Sequence, residues 1–276
     1  MGDQRDRHLA VHEWGASTEP GILLWPGLGS SGDYFASIAG MLPGRCVAVD
    51  PPGCGDTPPV DPCTSDRLVE LTRDAVDASG CRAIIGHSLG AYVAAGLAGN
   101  PPVGLSAAVL IDGGFLDASD YVELGMPTTE GRAALSTWFE TDGPRFPDWD
   151  TAIGQLAAIV GSAPSPALEA YVRDVFAEVG GEIRERARPD QMADLLLAVL
   201  DQDVHALGQR IQVPSLLIAC GQPSERRAPR EKAWQRLARS SPMIELYVAD
   251  DWGHNPIFQD PERLTSTIAD WLGAHV

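Results

Sequence analysis

Short, continuously apolar runs punctuate the chain at 21–25 (GILLW), 46–49 (CVAV), 83–85 (AII), 107–111 (AAVLI), 215–219 (SLLIA) and 244–248 (IELYV). They do not alternate polar with apolar, so both faces of each run should be buried, as in the strands of a parallel sheet. One segment, 8–13 (HLAVHE), does alternate and predicts an antiparallel edge strand. Helical stretches lie between the runs, at 33–42, 66–78, 89–98, 230–239 and 261–272. This alternation predicts an α/β fold, a mostly parallel central sheet flanked by helices.

Residues 115–208 break the rhythm. There 133–140, 151–160, 166–179 and 191–200 read as helices, and no strand stands out. The expected organisation is a core of residues 1–114 and 209–276, interrupted by a helical insert at 115–208. Charge is uneven along this plan. Between 113 and 205 there are 17 acidic residues against 6 arginines, a net −11 of the −18 carried by the whole chain. The plainer role of that charge is to keep an exposed helical layer soluble; the sharper one is to repel anionic substrates. The balance argues against nucleic acid and anionic membrane surfaces as partners, since phosphate binding needs clustered Lys and Arg.

A chain of 276 residues can bury a sizeable core without metal or disulfides. No apolar run approaches the roughly 18 residues of a membrane span. The N-terminus MGDQRDRHLAVHEW lacks an apolar signal core, so a cytoplasmic protein is expected. The five cysteines are odd in number with no C-x-x-C pair, and the six histidines form no H-E-x-x-H. Reduced thiols and no metal site are therefore expected.

The chemistry concentrates in two places. Gly86-His87-Ser88-Leu89-Gly90 has the pattern G-x-S-x-G, between an apolar run and an apolar helical stretch. In so tight a strand-to-helix turn the glycines remove side chains that would collide, and the serine hydroxyl stands at the sheet's C-terminal edge. A serine there could merely cap the helix. A general base would make it a nucleophile, and Gly253-His254, directly after the last apolar run, offers one. His87 is expected to pack; His8, His12, His205 and His275 have no supporting context.

These motifs resemble those of the α/β-hydrolase superfamily over nearly the whole chain. The resemblance implies Ser88 as nucleophile, His254 as base and the insert as a cap. Asp50-Pro51-Pro52-Gly53-Cys54-Gly55-Asp56 resembles the family's D-x-x-G-x-G turn. Trp25-Pro26-Gly27-Leu28-Gly29 stands where the family supplies an oxyanion donor, with Pro26 in place of the usual histidine. The N–H groups of Leu28 and Leu89 are the implied oxyanion hole. The acid departs from the common pattern. After 215–219 the chain reads Gly221-Gln222-Pro223-Ser224, with serine where an aspartate is usual, then Glu225. Some members carry the acid one strand earlier, which points to Asp112 in Ile111-Asp112-Gly113; Glu225, or no acid at all, are the alternatives.

The implied activity is acyl transfer to water: an ester, thioester or lactone of a small, largely apolar molecule cleaved through an acyl-enzyme. A C–C bond hydrolase, an acyltransferase or thioesterase of small-molecule biosynthesis, and a non-catalytic binding protein on the same fold are the alternatives. Serine at position 88 argues against epoxide opening and halide displacement, which in this family use aspartate. Trp138, Phe139, Trp149, Tyr171 and Phe176, with Tyr34 and Phe35, are candidate pocket-lining residues, ordinary packing being their simpler role. No cofactor is implied, since acyl transfer by a triad needs none; the partner expected is a small-molecule substrate, and the sequence gives no indication of oligomeric state.

Overall fold

The computed structural model describes residues 8–15, 21–124, 131–200, 202–224 and 227–276. The strands, in chain order, are β1 (Val11–Trp14), β2 (Ile22–Trp25), β3 (Cys46–Val49), β4 (Ala83–His87), β5 (Ala107–Ile111), β6 (Arg145–Phe146), β7 (Phe176–Val179), β8 (Glu182–Glu185), β9 (Ser215–Cys220) and β10 (Ile244–Ala249). Seven of them form one sheet in the order β1-β3-β2-β4-β5-β9-β10. Every neighbouring pair is parallel except β1 with β3. The edge strand therefore forms as the alternation predicts, though it starts at Val11 rather than residue 8.

Each inner strand is buried on both faces because successive side chains point to opposite sides. Leu23, Trp25, Val47, Ile84, Leu110 and Leu217 pack on one side, Ile22, Leu24, Cys46, Ile85, Val109 and Ile218 on the other. The first side is covered by helices α2 (Ser65–Ser79), α3 (Leu89–Ala98), α9 (Val204–Arg210) and α10 (Arg227–Ser240). The second is covered by α1 (Ala36–Ala39), α11 (Pro256–Gln259) and α12 (Pro261–His275). Helix α3 is nearly all buried, which its Ala- and Gly-rich sequence permits: small side chains let its backbone approach the sheet closely.

Between β5 and β9 lie α4 (Ala118–Glu123), α5 (Arg132–Asp142), α6 (Trp149–Val160), α7 (Pro166–Val175) and α8 (Pro189–Leu200). Here the strandless reading fails, because β6, β8 and β7 form a small antiparallel sheet. The helix expected over 166–179 stops at Val175, and Phe176–Val179 is strand. The reason is Gly180-Gly181, both at positive φ (63° and 85°), which close a two-residue hairpin onto Glu182–Glu185. Phe146, Phe176 and Ile183 of this sheet share a core with Ile153, Leu168 and Val172 of α6 and α7. Helix α8 instead sends Met192, Leu195 and Val199 into the main core.

Sheet order and register position the site. The strand order reverses at β2, with β3 on one side and β4 on the other, and such a switch point opens a crevice at the strands' carboxyl ends. His87 of β4 pairs with Ile111 of β5. Ser88 and Asp112, the next residue of each strand, therefore leave the sheet side by side. Among the described residues, no helix is long and apolar enough to cross a membrane.

Candidate active site

The turn at Ser88 is set by its glycines. A Cβ on Gly86 would stand 2.1 Å from the Gly90 carbonyl oxygen, and one on Gly90 would stand 2.2 Å from that of Trp25. Ser88 itself has φ 55°, a strained value for a residue with a side chain. The cost is about 1–3 kcal/mol. The neighbouring strand and helix hold it there: Ser88 N–H donates to Ile111 C=O at 2.8 Å, and Ala91 N–H donates to Ser88 C=O at 3.0 Å. The hydroxyl is thereby fixed at the N-terminus of α3, where unpaired N–H groups favour negative charge.

His254 follows β10 in a loop pinned at both sides. Gly253 N–H donates to Gln259 Oε1 at 2.7 Å, and the His254 carbonyl accepts from His87 Nε2 at 2.7 Å. The His254 ring bridges two groups, with Nε2 3.1 Å from Ser88 Oγ and Nδ1 2.8 Å from Asp112 Oδ2. A carboxylate accepts only, so Nδ1 carries the proton and Nε2 is the bare nitrogen facing the serine. His87 does more than pack. Burial, then the charge of His254, pushes its pKa down to about 3, so it stays neutral. It stacks on Tyr34, whose hydroxyl donates to Asn255 Oδ1 at 3.0 Å, next to His254.

Asp112 sits one residue past β5 at φ 42°, a left-handed value that aspartate tolerates better than most residues. Its side chain is 5% exposed, against 52% for His254. The second oxygen, Oδ1, accepts from Cys220 N–H at 3.1 Å and lies 3.8 Å from Nη2 of Arg230. Burial pushes the carboxyl's pKa up; the His254 hydrogen bond and charge, Arg230 and the Cys220 N–H outweigh it and leave the pKa below the usual value. The alternative acid, Glu225, lies outside the described residues.

Ser88, Asp112 and His254 open into a cavity of about 390 Å³. Leu28 and Leu89, the two sequence-predicted oxyanion residues, line it beside Ser88. The loop before Leu28 passes close by: a Cβ on Gly27 would stand 3.2 Å from Ser88 Cβ. Pro26 leaves this approach intact, its carbonyl packing against Gly90. The remaining wall is mostly apolar, with Leu116, Leu196 and Val199. None of the seven aromatics expected from the sequence lines it. Phe176 is buried in the small sheet's core, Trp138 is exposed, Phe139 packs against the main core, Arg173 covers Trp149, and Tyr171 meets Tyr34 edge to face. Tyr34 and Phe35 are buried against the sheet. The aromatic that does line the cavity is Tyr92 on α3, which the sequence hides inside an apolar helix. Among the described residues, no three His, Cys, Asp or Glu side chains cluster as metal ligands.

The model of the α/β hydrolase family matches residues 22–267. The chain belongs to this family. A protein of similar sequence is a pimeloyl-[acyl-carrier protein] methyl ester esterase from Chromobacterium violaceum, 26% identical over 255 residues, which span 92% of this chain and 94% of that one. Among solved structures, E-2-(acetamidomethylene)succinate hydrolase superposes with a TM-score of 0.73 at 20% identity, covering 96% of this chain and 95% of its own. A thioesterase domain from the curacin biosynthetic pathway superposes with a TM-score of 0.72 at 18% identity, covering 94% of each chain. These two solved structures share the fold of this chain.

Proposed function

We propose that this α/β hydrolase cleaves an ester, thioester or lactone of a small, largely apolar molecule through an acyl-enzyme on Ser88. The observation that carries the reading is the unbroken line from Asp112 Oδ2 to His254 Nδ1 (2.8 Å) and from His254 Nε2 to Ser88 Oγ (3.1 Å), opening into one apolar cavity. As Ser88 Oγ attacks the carbonyl carbon, Nε2 takes its proton and Asp112 balances the imidazolium. The N–H groups of Leu28 and Leu89 stabilise the oxyanion. The carbonyl bond to the leaving group then breaks, and the leaving oxygen or sulfur takes the proton from Nε2. Water, activated by the same nitrogen, attacks the acyl-enzyme and releases the acid.

Two features refine the reading. The half-exposed His254 ring gives water a route to the acyl-enzyme, which favours hydrolysis over transfer. The net −11 over residues 113–205 would repel an acidic carrier protein, so a free small molecule is the proposed substrate. We place the protein in the cytoplasm, in keeping with its five free cysteines. The test is fluorophosphonate labelling read by intact mass. Labelling of the parent and not of Ser88→Ala is the expected result; a folded parent that stays unlabelled and hydrolyses no p-nitrophenyl ester would sink the proposal.

A further inference from the structure

Arg230 lies in the first turn of α10 and lines the cavity that holds Ser88 and His254. Its side chain is only 13% exposed. The guanidinium is directed at the protein's own backbone: Nη1 donates to the Gln222 carbonyl at 2.9 Å, and Nη2 to the Cys220 carbonyl. It lies 5.1 Å over the Trp234 ring. The 3.8 Å from Nη2 to Asp112 Oδ1 is too long for a hydrogen bond but short for an interaction between charges.

The other titratable groups facing Asp112 are His254, Cys220, Tyr34 and His87. Burial holds the Cys220 thiol and the Tyr34 phenol protonated and His87 neutral. In the proposed mechanism His254 accepts the serine proton, so it brings no charge of its own before attack. Among the described residues, Arg230 is then the one permanent positive charge facing the Asp112 carboxylate.

Resting on the triad reading above, we infer that Arg230 is a positioning residue that makes the end of β5 a workable place for the acid. Its charge keeps Asp112 ionised while His254 is neutral. Its two carbonyl bonds fix the end of β9, whose Cys220 N–H holds one carboxylate oxygen and leaves the other for His254. Arg230 acts through Asp112 and touches no reacting atom.

The test measures kcat/KM for p-nitrophenyl butyrate across pH, and the fluorophosphonate labelling rate, in five proteins. These are the parent, Arg230→Met, Arg230→Lys, Asp112→Asn and the Arg230→Met/Asp112→Asn double variant. Arg230→Met should lose about tenfold or more in kcat/KM. Its acidic limb should move to higher pH, because removing a cation favours the protonated form of the Asp112–His254 pair. Arg230→Lys should restore much of both. With Asp112 already Asn, Arg230→Met should cost less than about twofold. Equal losses in the two backgrounds, or an unmoved acidic limb, would overturn the inference while leaving the hydrolase reading intact. So would a loss confined to KM with kcat unchanged, which would make Arg230 a substrate-binding residue. An inert parent would overturn the hydrolase reading and this inference together. Should Arg230→Met not fold, Arg230→Gln removes the charge, keeps a donor for the Cys220 carbonyl and carries the same expectations.

Discussion

Asp112→Asn keeps the shape of the acid, and the surrounding donors decide which way its amide turns. Cys220 N–H, 3.1 Å from Oδ1, can only donate, so the amide oxygen stays on that side. The amide NH2 then faces His254 Nδ1, where Oδ2 stood at 2.8 Å. It too can only donate, so Nδ1 must be the bare nitrogen and the imidazole proton moves to Nε2, 3.1 Å from Ser88 Oγ. The base then faces the nucleophile with its proton already in place. Turning the amide round sets its NH2 against the Cys220 N–H, leaving a buried donor unpaired at about 1–3 kcal/mol. The same exchange in a serine protease triad costs about 10⁴-fold in kcat through the same wrong tautomer. A loss of about 10³–10⁴-fold, or roughly 4–5.5 kcal/mol of barrier, is expected here. The assay is kcat for a p-nitrophenyl ester with the rate of fluorophosphonate labelling, run beside Glu225→Gln, which should match the parent. A loss under about tenfold in folded Asp112→Asn would refute the assignment, and a large loss in Glu225→Gln would transfer it.

Three further outcomes follow from the geometry. Gly90→Ala would put a methyl carbon 2.2 Å from the Trp25 carbonyl oxygen and 2.7 Å from that of Pro26, both backbone. It should lose at least about 3 kcal/mol in urea unfolding, and a loss under about 1 would contradict the packing described. His87 titrates near pH 3 when folded against an ordinary 6.5, so its contribution to stability is complete above about pH 6.5 and is lost as pH falls towards 3. The slope should reach about 1.4 kcal/mol per pH unit in that window, and His87→Gln should flatten it; an equally steep variant would show that other groups set it. Leu196→Ala should enlarge the apolar wall of the cavity and raise the preference for octanoyl over butyryl esters by about tenfold, read as a ratio of kcat/KM; an unchanged ratio would place the acyl chain elsewhere.

The main sheet was legible because strands buried on both faces must be apolar throughout, and runs such as 107–111 and 215–219 can be little else. The small sheet was hidden for the converse reason. Phe176–Val179 and Glu182–Glu185 are half exposed, their alternation is brief, and Phe176 continues the apolar spacing of α7. Gly180-Gly181 was the available signal, since paired glycines suit a hairpin and end a helix. At the site, the turn around Ser88 and the loop of His254 can be read locally, because each motif carries its own backbone constraint. Cavity lining cannot: Tyr92 and Leu196 come to line one cavity only through the packing of α8 beside α3, and aromatic content in the insert says nothing of direction. His12 shows the same limit. It reads as a lone histidine, yet it bonds Asp50 at 2.9 Å, and Asp50 also accepts from Gly32 N–H and Asp56 N–H. One buried carboxylate thereby ties the edge strand to the residues following the Leu28 loop.

The position proposed for the acid, Asp112, illustrates what a sheet constrains and what it leaves free. The imidazole must meet Ser88, so its far nitrogen has a fixed location, and any strand end within reach of that point can carry the carboxylate. Strands β5 and β9 are adjacent, Ile111 pairing with Ile218, and Asp112 N–H donates to Ile218 C=O at 2.8 Å. A carboxylate leaving β5 therefore starts about one strand spacing, roughly 5 Å, from one leaving β9. The left-handed backbone at Asp112 turns its side chain across that gap towards the end of β9, where the Cys220 N–H receives it. With Asp112 as the proposed acid, the carboxylate stands at a position that is almost wholly buried. Burial raises the cost of the charge, and that cost has to be met by donors and cations already fixed in place. The Cys220 N–H and the Arg230 guanidinium are both held at the end of β9, the strand that on the proposed reading supplies the acid's partners and not the acid itself.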